Sequence, residues 1–168
     1  MNDKSCCGKG KEMKGQNNEY EIVRIEKTKN YCQLCEEYAE RQKSKPVVVM
    51  CCEGGCLRGE VARQAANILC HSIAPEKTAR ICLGGAFTKD TGQRNLASNA
   101  ARLIALEGCF VNCSSRMMAG VIEGLKPEVI VVDRLYEFDR SLFGIEEMSP
   151  EEILVHARTV AEKIAVTL

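Results

Sequence analysis

Val47 to Glu60 reads VVVMCCEGGCLRGE. A β-branched apolar run stops at two cysteines, two glycines lead to a third, and helical spacing then takes over, with Val61, Ala62, Ala65, Ile68 and Leu69 on one stripe across 58–72. A continuous apolar run bounded by glycine is the pattern of a strand buried on both faces, and an apolar stripe recurring every three to four residues is that of an amphipathic helix. Residues 47–52 are therefore expected to form a strand that ends in a thiol-rich loop and feeds a helix.

The same unit repeats downstream. ARICL (79–83) reads as a second strand ending at Gly84-Gly85, and the polar turn TKDTGQ leads into a helix at about 93–101. LIALE (103–107) is a third strand ending at Gly108; Met117, Met118, Val121, Ile122 and Leu125 mark the helix after it, and EVIVVD (128–133) is a fourth strand. Ser149-Pro150-Glu151-Glu152 combines an N-cap hydroxyl, proline at the first helical position and a carboxylate three residues on, so a last helix starts there. Its apolar stripe is Ile153, Leu154, Ala157, Val160, Ala161 and Ile164. Strands alternating with helices make right-handed βαβ crossovers. The expected fold class is α/β, a three-layer domain with a parallel sheet of about four strands and helices on both faces.

Upstream of Pro46 the composition changes. Residues 1–18 are rich in Lys, Gly and Asn, hold little to bury, and are expected to be a flexible tail carrying Cys6 and Cys7. Residues 19–45 read as an N-terminal extension: Tyr20, Ile22, Val23 and Ile25 suit a short strand, and Cys32-x-x-Cys35 opens the charged helical stretch EEYAERQKSK. Residues 46–168 are then expected to form the α/β domain.

Lys and Arg total 23 and Asp and Glu total 23, so no net field favours nucleic acid or an anionic membrane. No apolar run approaches the ~18 residues of a bilayer span, and the N-terminal stretch lacks the apolar centre of a signal peptide. A cytoplasmic protein is expected. In a reducing compartment the eleven cysteines serve metal or redox chemistry, or act as small buried hydrophobes. Cys70, within a helical apolar stripe, fits the latter. His71 and His156 read as plain surface or half-buried residues.

The remaining core cysteines are distributed by strand end. Cys51, Cys52 and Cys56 follow the first strand, Cys82 the second, and Cys109 and Cys113 the third. In an open parallel sheet the ligand crevice lies beyond the carboxyl ends of the strands, so three segments distant in sequence are expected to bring sulfur to one rim. Four or more thiolates without an imidazole suit Zn²⁺ or an iron–sulfur cluster. Backbone N–H groups of Gly54, Gly55 and Gly85 are expected to bond the sulfurs.

Cys52 with its following glycines, Cys-Leu-Gly-Gly at 82–85 and Glu-Gly-Cys-Phe-Val-Asn-Cys at 107–113 resemble the motif blocks of the DGC-domain family, associated with zinc binding and named for an Asp-Gly-Cys with a second Cys four residues after the first. The resemblance spans roughly residues 46–135 and implies that Cys52, Cys82, Cys109 and Cys113 hold metal. Glu107 stands where the family has Asp, and Cys51 and Cys56 are extra thiols beside the first block, with Cys56 the fifth candidate ligand and Cys51 the next.

Two thiol-enzyme readings compete with metal sensing, storage or transfer. Cys52 to Arg58 satisfies C-x5-R, the loop of thiol phosphatases and arsenate reductases, with Cys52 as nucleophile, Arg58 as oxyanion clamp and Asp133 or Asp139 as general acid. Against it, Glu53 brings a carboxylate into the loop, Gly59 lacks the usual hydroxyl, and Cys82, Cys109 and Cys113 go unexplained, so Arg58 reads as a helix-surface or supporting residue. The other is persulfide or sulfur transfer to a protein partner, with Cys6 and Cys7 delivering cargo and Cys32-x-x-Cys35 as a redox pair or half of a second zinc site.

Overall fold

A computed structural model describes residues 23–168. The expected tail with Cys6 and Cys7, and Tyr20 and Ile22 of the expected first strand, lie outside the described residues. Val23 and Ile25 are exposed in irregular chain that runs to Cys32. Among the described residues they pair with no strand.

The chain then builds α1 (Gln33–Gln42), β1 (Val47–Cys51), α2 (Leu57–Ile68, extended by a π-helical turn Leu69–Ile73), β2 (Thr78–Arg80), α3 (Leu83–Phe87), α4 (Gly92–Ser98), β3 (Arg102–Glu107), α5 (Cys113–Val121), β4 (Glu128–Val131) and α6 (Pro150–Ala165). The four strands form one parallel sheet in the order β2-β1-β3-β4. Strand alternation sorts the core into two layers. Val47, Val49, Cys51, Ile104 and Leu106 pack with α2 and α6, whereas Val48, Met50, Ala79, Leu103 and Ala105 pack with residues of α1, α3, α4 and α5. The fold is the three-layer α/β arrangement that the alternating pattern implies.

The α6 N-terminus forms as its sequence demands: Ser149 Oγ accepts the Glu152 N–H and the Glu152 carboxylate accepts the Ser149 N–H, both at 3.2 Å. Elsewhere the elements differ in extent. β2 stops at Arg80, because the Cys82 N–H is taken by the Gln93 side-chain oxygen at 2.8 Å. Gly84 and Gly85, read as a strand stop, lie inside the short helix α3. α5 begins at Cys113 and ends before Ile122, so its first turn is polar and of its two methionines only Met118 is buried. Among the described residues no helix is long and apolar enough to cross a membrane.

Candidate metal centre

The strand order reverses at β1, whose neighbours are β2 on one side and β3 on the other. The loops after β1 and β3 therefore stand side by side at a topological switch point, where open α/β sheets form their crevice. Cys52 is tied to this seam by its N–H, which donates to the Leu106 carbonyl at 2.8 Å.

Close backbone contact shapes the β1–α2 loop. A Cβ on Gly54 would stand 3.2 Å from Cys52 Sγ and 3.8 Å from Cys56 Sγ, so both sulfurs flank this glycine. The Gly54 N–H donates to Cys52 Sγ at 3.3 Å. Gly55 is open, with no atom near its would-be Cβ. The next turn is anchored from outside: the Leu57 N–H donates to Phe143 O at 2.8 Å, which satisfies one of the free donors at the start of α2.

The β3–α5 loop supplies the other sulfurs. Asn112 adopts a left-handed conformation (φ 53°) that turns the chain between Cys109 and Cys113. Glu107, fully buried, accepts four bonds from the start of α5: Ser114 N–H at 3.2 Å, Ser114 Oγ–H at 2.7 Å, Ser115 N–H at 2.6 Å and Ser115 Oγ–H at 2.7 Å. Its longer side chain thus serves as the anionic cap of α5 and is committed to positioning the helix that begins with Cys113. We expect Glu107→Gln, which sets an NH2 among these donors, to lower stability by about 1–3 kcal/mol; urea unfolding measures it, and an unchanged midpoint and slope would contradict this role.

Four thiols share one electrostatic neighbourhood. Burial pushes the Cys52 thiol up, the N–H groups of Gly54 and Gly108 draw it down, and Cys113 and Glu107 raise it. Cys109 is raised by burial, drawn down by the Val111 N–H, and raised by Cys56, Cys52 and Asp133. Cys113 is raised by burial, Cys109 and Glu107, lowered by Arg116, and raised by Cys56. Cys52, Cys56, Cys109 and Cys113 are thus within electrostatic reach of one another. Cys52 is buried, Cys56 and Cys109 are half-buried and Cys113 is exposed.

The other candidate thiols are placed differently. Cys82 is exposed; its Sγ accepts the Gly85 N–H at 3.4 Å, and its charge, with that of Cys32, raises the Cys35 thiol after burial has done so. Cys51 is fully buried, with Arg80 Nη2 2.7 Å and Glu53 Oε1 3.5 Å from its sulfur, and burial drives its thiol far up. Cys70 is buried in the α2–α6 layer, where its sequence setting places it.

Arg58 is no helix-surface residue. It is 1% exposed, donates to Leu142 O at 2.8 Å and Arg140 O at 2.9 Å, lies 3.5 Å from the Asp133 carboxylate and stacks 4.8 Å from the Phe138 ring centroid. It fastens the 138–142 segment over α2 and offers no solvent-facing fork to an arriving oxyanion. Asp139 is turned to the N–H and hydroxyl of Ser141.

A family model for the DGC domain matches residues 48–160, from β1 into α6. The chain belongs to the DGC-domain family. No curated protein matches it, and no solved structure does. The matched span of this DGC domain contains Cys52, Cys56, Cys82, Cys109 and Cys113 and excludes Cys32 and Cys35.

Whether the DGC domain suits a metal turns on its donors. Sulfur dominates the cluster, since the adjoining carboxylates of Glu107 and Asp133 are engaged with the start of α5 and with Arg58. Four buried polar atoms have no hydrogen-bond partner among the described residues: Arg58 Nε and Arg80 Nε, whose guanidinium groups bond through their other nitrogens, and Tyr136 OH and Asn112 Oδ1. Tyr136 feels the Cys56 charge, stacks on Phe138 and meets the His156 ring at a tilt, with ring centroids 4.8 and 4.7 Å away. Such orphans are rare in a finished core and suit a site that takes up a further group. Among the described residues no three His, Cys, Asp or Glu side chains already stand at ligand distance from one point. The donor chemistry fits a soft cation, and closure onto one requires the thiols to turn inward. Gln93 and Tyr136 escaped the sequence reading: Gln93 closes the TKDTGQ stretch that reads as a polar turn but stands in the first turn of α4, and Tyr136 lies in a loop, with no metal-type residue beside either.

Proposed function

We propose that this DGC domain binds a soft metal ion, zinc foremost, through Cys52, Cys56, Cys109 and Cys113, for storage, sensing or thiol-based transfer. What supports the reading is that two adjacent strand ends carry four thiols within electrostatic reach of one another, while the nearest carboxylates are held by protein partners. A sulfur-only set selects zinc, copper(I) or iron–sulfur centres over magnesium and calcium. The bound ion supplies the positive charge that keeps the sulfurs as thiolates. The chain's own part is to orient them. Gly54 and Gly108 direct N–H groups at Cys52, Val111 does so at Cys109, and the Glu107 cap fixes the helix that carries Cys113. Buried Cys52 is the anchor and exposed Cys113 the side from which an ion enters and leaves.

Protein purified without oxygen tests this. The expected sample is colourless, carries zinc, and is stabilised by it; at a hundredfold excess over Kd the gain is about 2.7 kcal/mol. Cys109→Ser and Cys113→Ser each lower zinc affinity by more than about 100-fold, beyond what loss of a supporting hydrogen bond causes. Brown protein containing iron and sulfide would replace zinc with a cluster. Unchanged zinc affinity in both variants would end the proposal.

A further inference from the structure

Arg80 closes β2 and stands in register with Val49 of β1, and the Ile81 N–H donates to the Val49 carbonyl at 3.0 Å. Side chains two positions apart on a strand share a face, so Cys51 follows Val49 on the side of the sheet toward which Arg80 also points. The guanidinium reaches it: Arg80 Nη2 donates to Cys51 Sγ at 2.7 Å and to Glu53 Oε1 at 2.7 Å. The Cys51 thiol in turn donates to Glu53 Oε1 at 3.5 Å. Three groups thus close a ring of hydrogen bonds in which the sulfur is both donor and acceptor.

The ring encloses one residue. Cys52 stands between Cys51 and Glu53 in the chain, and both neighbours are held by the same nitrogen. The Cys52 N–H is fixed to the Leu106 carbonyl of β3, so the backbone at Cys52 is held from both flanks of β1. Arg80 also stands two residues before Cys82, and ties the strand end that carries Cys82 to the Cys52 loop. Cys51 is fully buried and the Arg80 side chain nearly so. A sulfur engaged in both directions, with a guanidinium against it that repels any arriving cation, is not free to join a metal.

We propose that Arg80, Glu53 and Cys51 form a latch that positions Cys52 for metal, with Cys51 a structural thiol and Arg80 a positioning residue. The effect on metal rests on the four-thiol zinc reading. The latch leaves the thiols of the family motifs, Cys52, Cys82, Cys109 and Cys113, as they are, and takes only the extra Cys51 out of the candidate ligands. Both bonds from Arg80 leave a single nitrogen, so lysine meets the same two acceptors and methionine meets neither. What lysine gives up is the bond from Arg80 Nη1 to the Ile81 carbonyl.

The test uses the full-length chain, reduced and anaerobic, with circular dichroism to verify folding. In metal-free protein, iodoacetamide labelling read by mass spectrometry measures how often Cys51 opens, and Cys70, buried in the same layer, is the internal control. Arg80→Met is expected to label Cys51 about tenfold faster or more, because charge-assisted bonds are lost, with Cys70 unchanged and Arg80→Lys close to wild type. No acceleration at Cys51, or an equal one at Cys70, would overturn the latch. In zinc titrations Cys51→Ser, which keeps a donor and an acceptor, retains wild-type affinity, whereas Arg80→Met loses about 10–100-fold and Arg80→Lys recovers it. Unchanged affinity in Arg80→Met would overturn the positioning role, and a loss in Cys51→Ser as large as that in Cys52→Ser would make Cys51 a ligand. If wild type binds no zinc the four-thiol reading fails, and faster labelling of Cys51 in Arg80→Met still establishes the latch.

Discussion

Arg58→Met lowers the unfolding free energy by about 3–5 kcal/mol, the cost of removing one partner from a buried ion pair. Methionine keeps most of the length and apolar bulk over Phe138. What it removes is the cation 3.5 Å from Asp133 and the donors to the Leu142 and Arg140 carbonyls. Both side chains of the pair are almost wholly enclosed, so water does not replace what is lost. Asp133→Asn in the Arg58→Met background recovers part of the loss, since the buried carboxylate charge is then gone. Chemical denaturation measures both. A loss under 1 kcal/mol for Arg58→Met would mean that the guanidinium is not a structural clamp, and the anion-loop reading of C-x5-R would deserve a fresh assay with an aryl phosphate.

Gly108→Ala is expected to cost about 4 kcal/mol or more, in the range reserved for severe core faults. Its Cβ would lie 2.8 Å from the Arg58 carbonyl carbon and oxygen and from the Gly59 nitrogen, all of them backbone atoms that cannot swing aside. Gly59→Ala is equivalent, with its Cβ 2.6 Å from Gly54 O. Gly108→Ala forces the loop that carries Cys109 and Cys113 away from the start of α2, and Gly59→Ala pushes Gly54, between Cys52 and Cys56, off the same helix, so zinc affinity falls with stability in both. Gly55→Ala is the control, because nothing lies within 4 Å of its Cβ; a change within about 0.5 kcal/mol is expected. Thermal melts with and without zinc read all three. Wild-type behaviour of Gly108→Ala would show that Gly108 and the start of α2 do not press together.

Local signals carried far in this chain because they agreed with one another. The VVVM run, the βα alternation and the Ser149 capping box each specify an element through nearest neighbours alone, and parallel connectivity follows from the crossover rule. Which strand ends carry sulfur was equally legible, since that needs only the order of elements. Signals dependent on a distant partner were not. β-branched Val23 and Ile25 suggested a strand but lie in irregular, exposed chain, and Arg58 read as either a helix-surface or a supporting residue because the carbonyls it binds are more than eighty positions away.

The pattern of residues along the chain was sufficient for the α/β class, the family and the thiol-rich rim, because periodicity and motif spacing are properties of neighbouring positions. What only packing decided is the lateral order of the strands. β1 lies between β2 and β3, so the loop after β3, with Cys109 and Cys113, stands beside the loop after β1, while the loop after β2 lies on the other flank, where the Gln93 oxygen accepts the Cys82 N–H. That arrangement rests on strand order and on one buried side chain, and neither can be read from the separation of cysteines in the sequence.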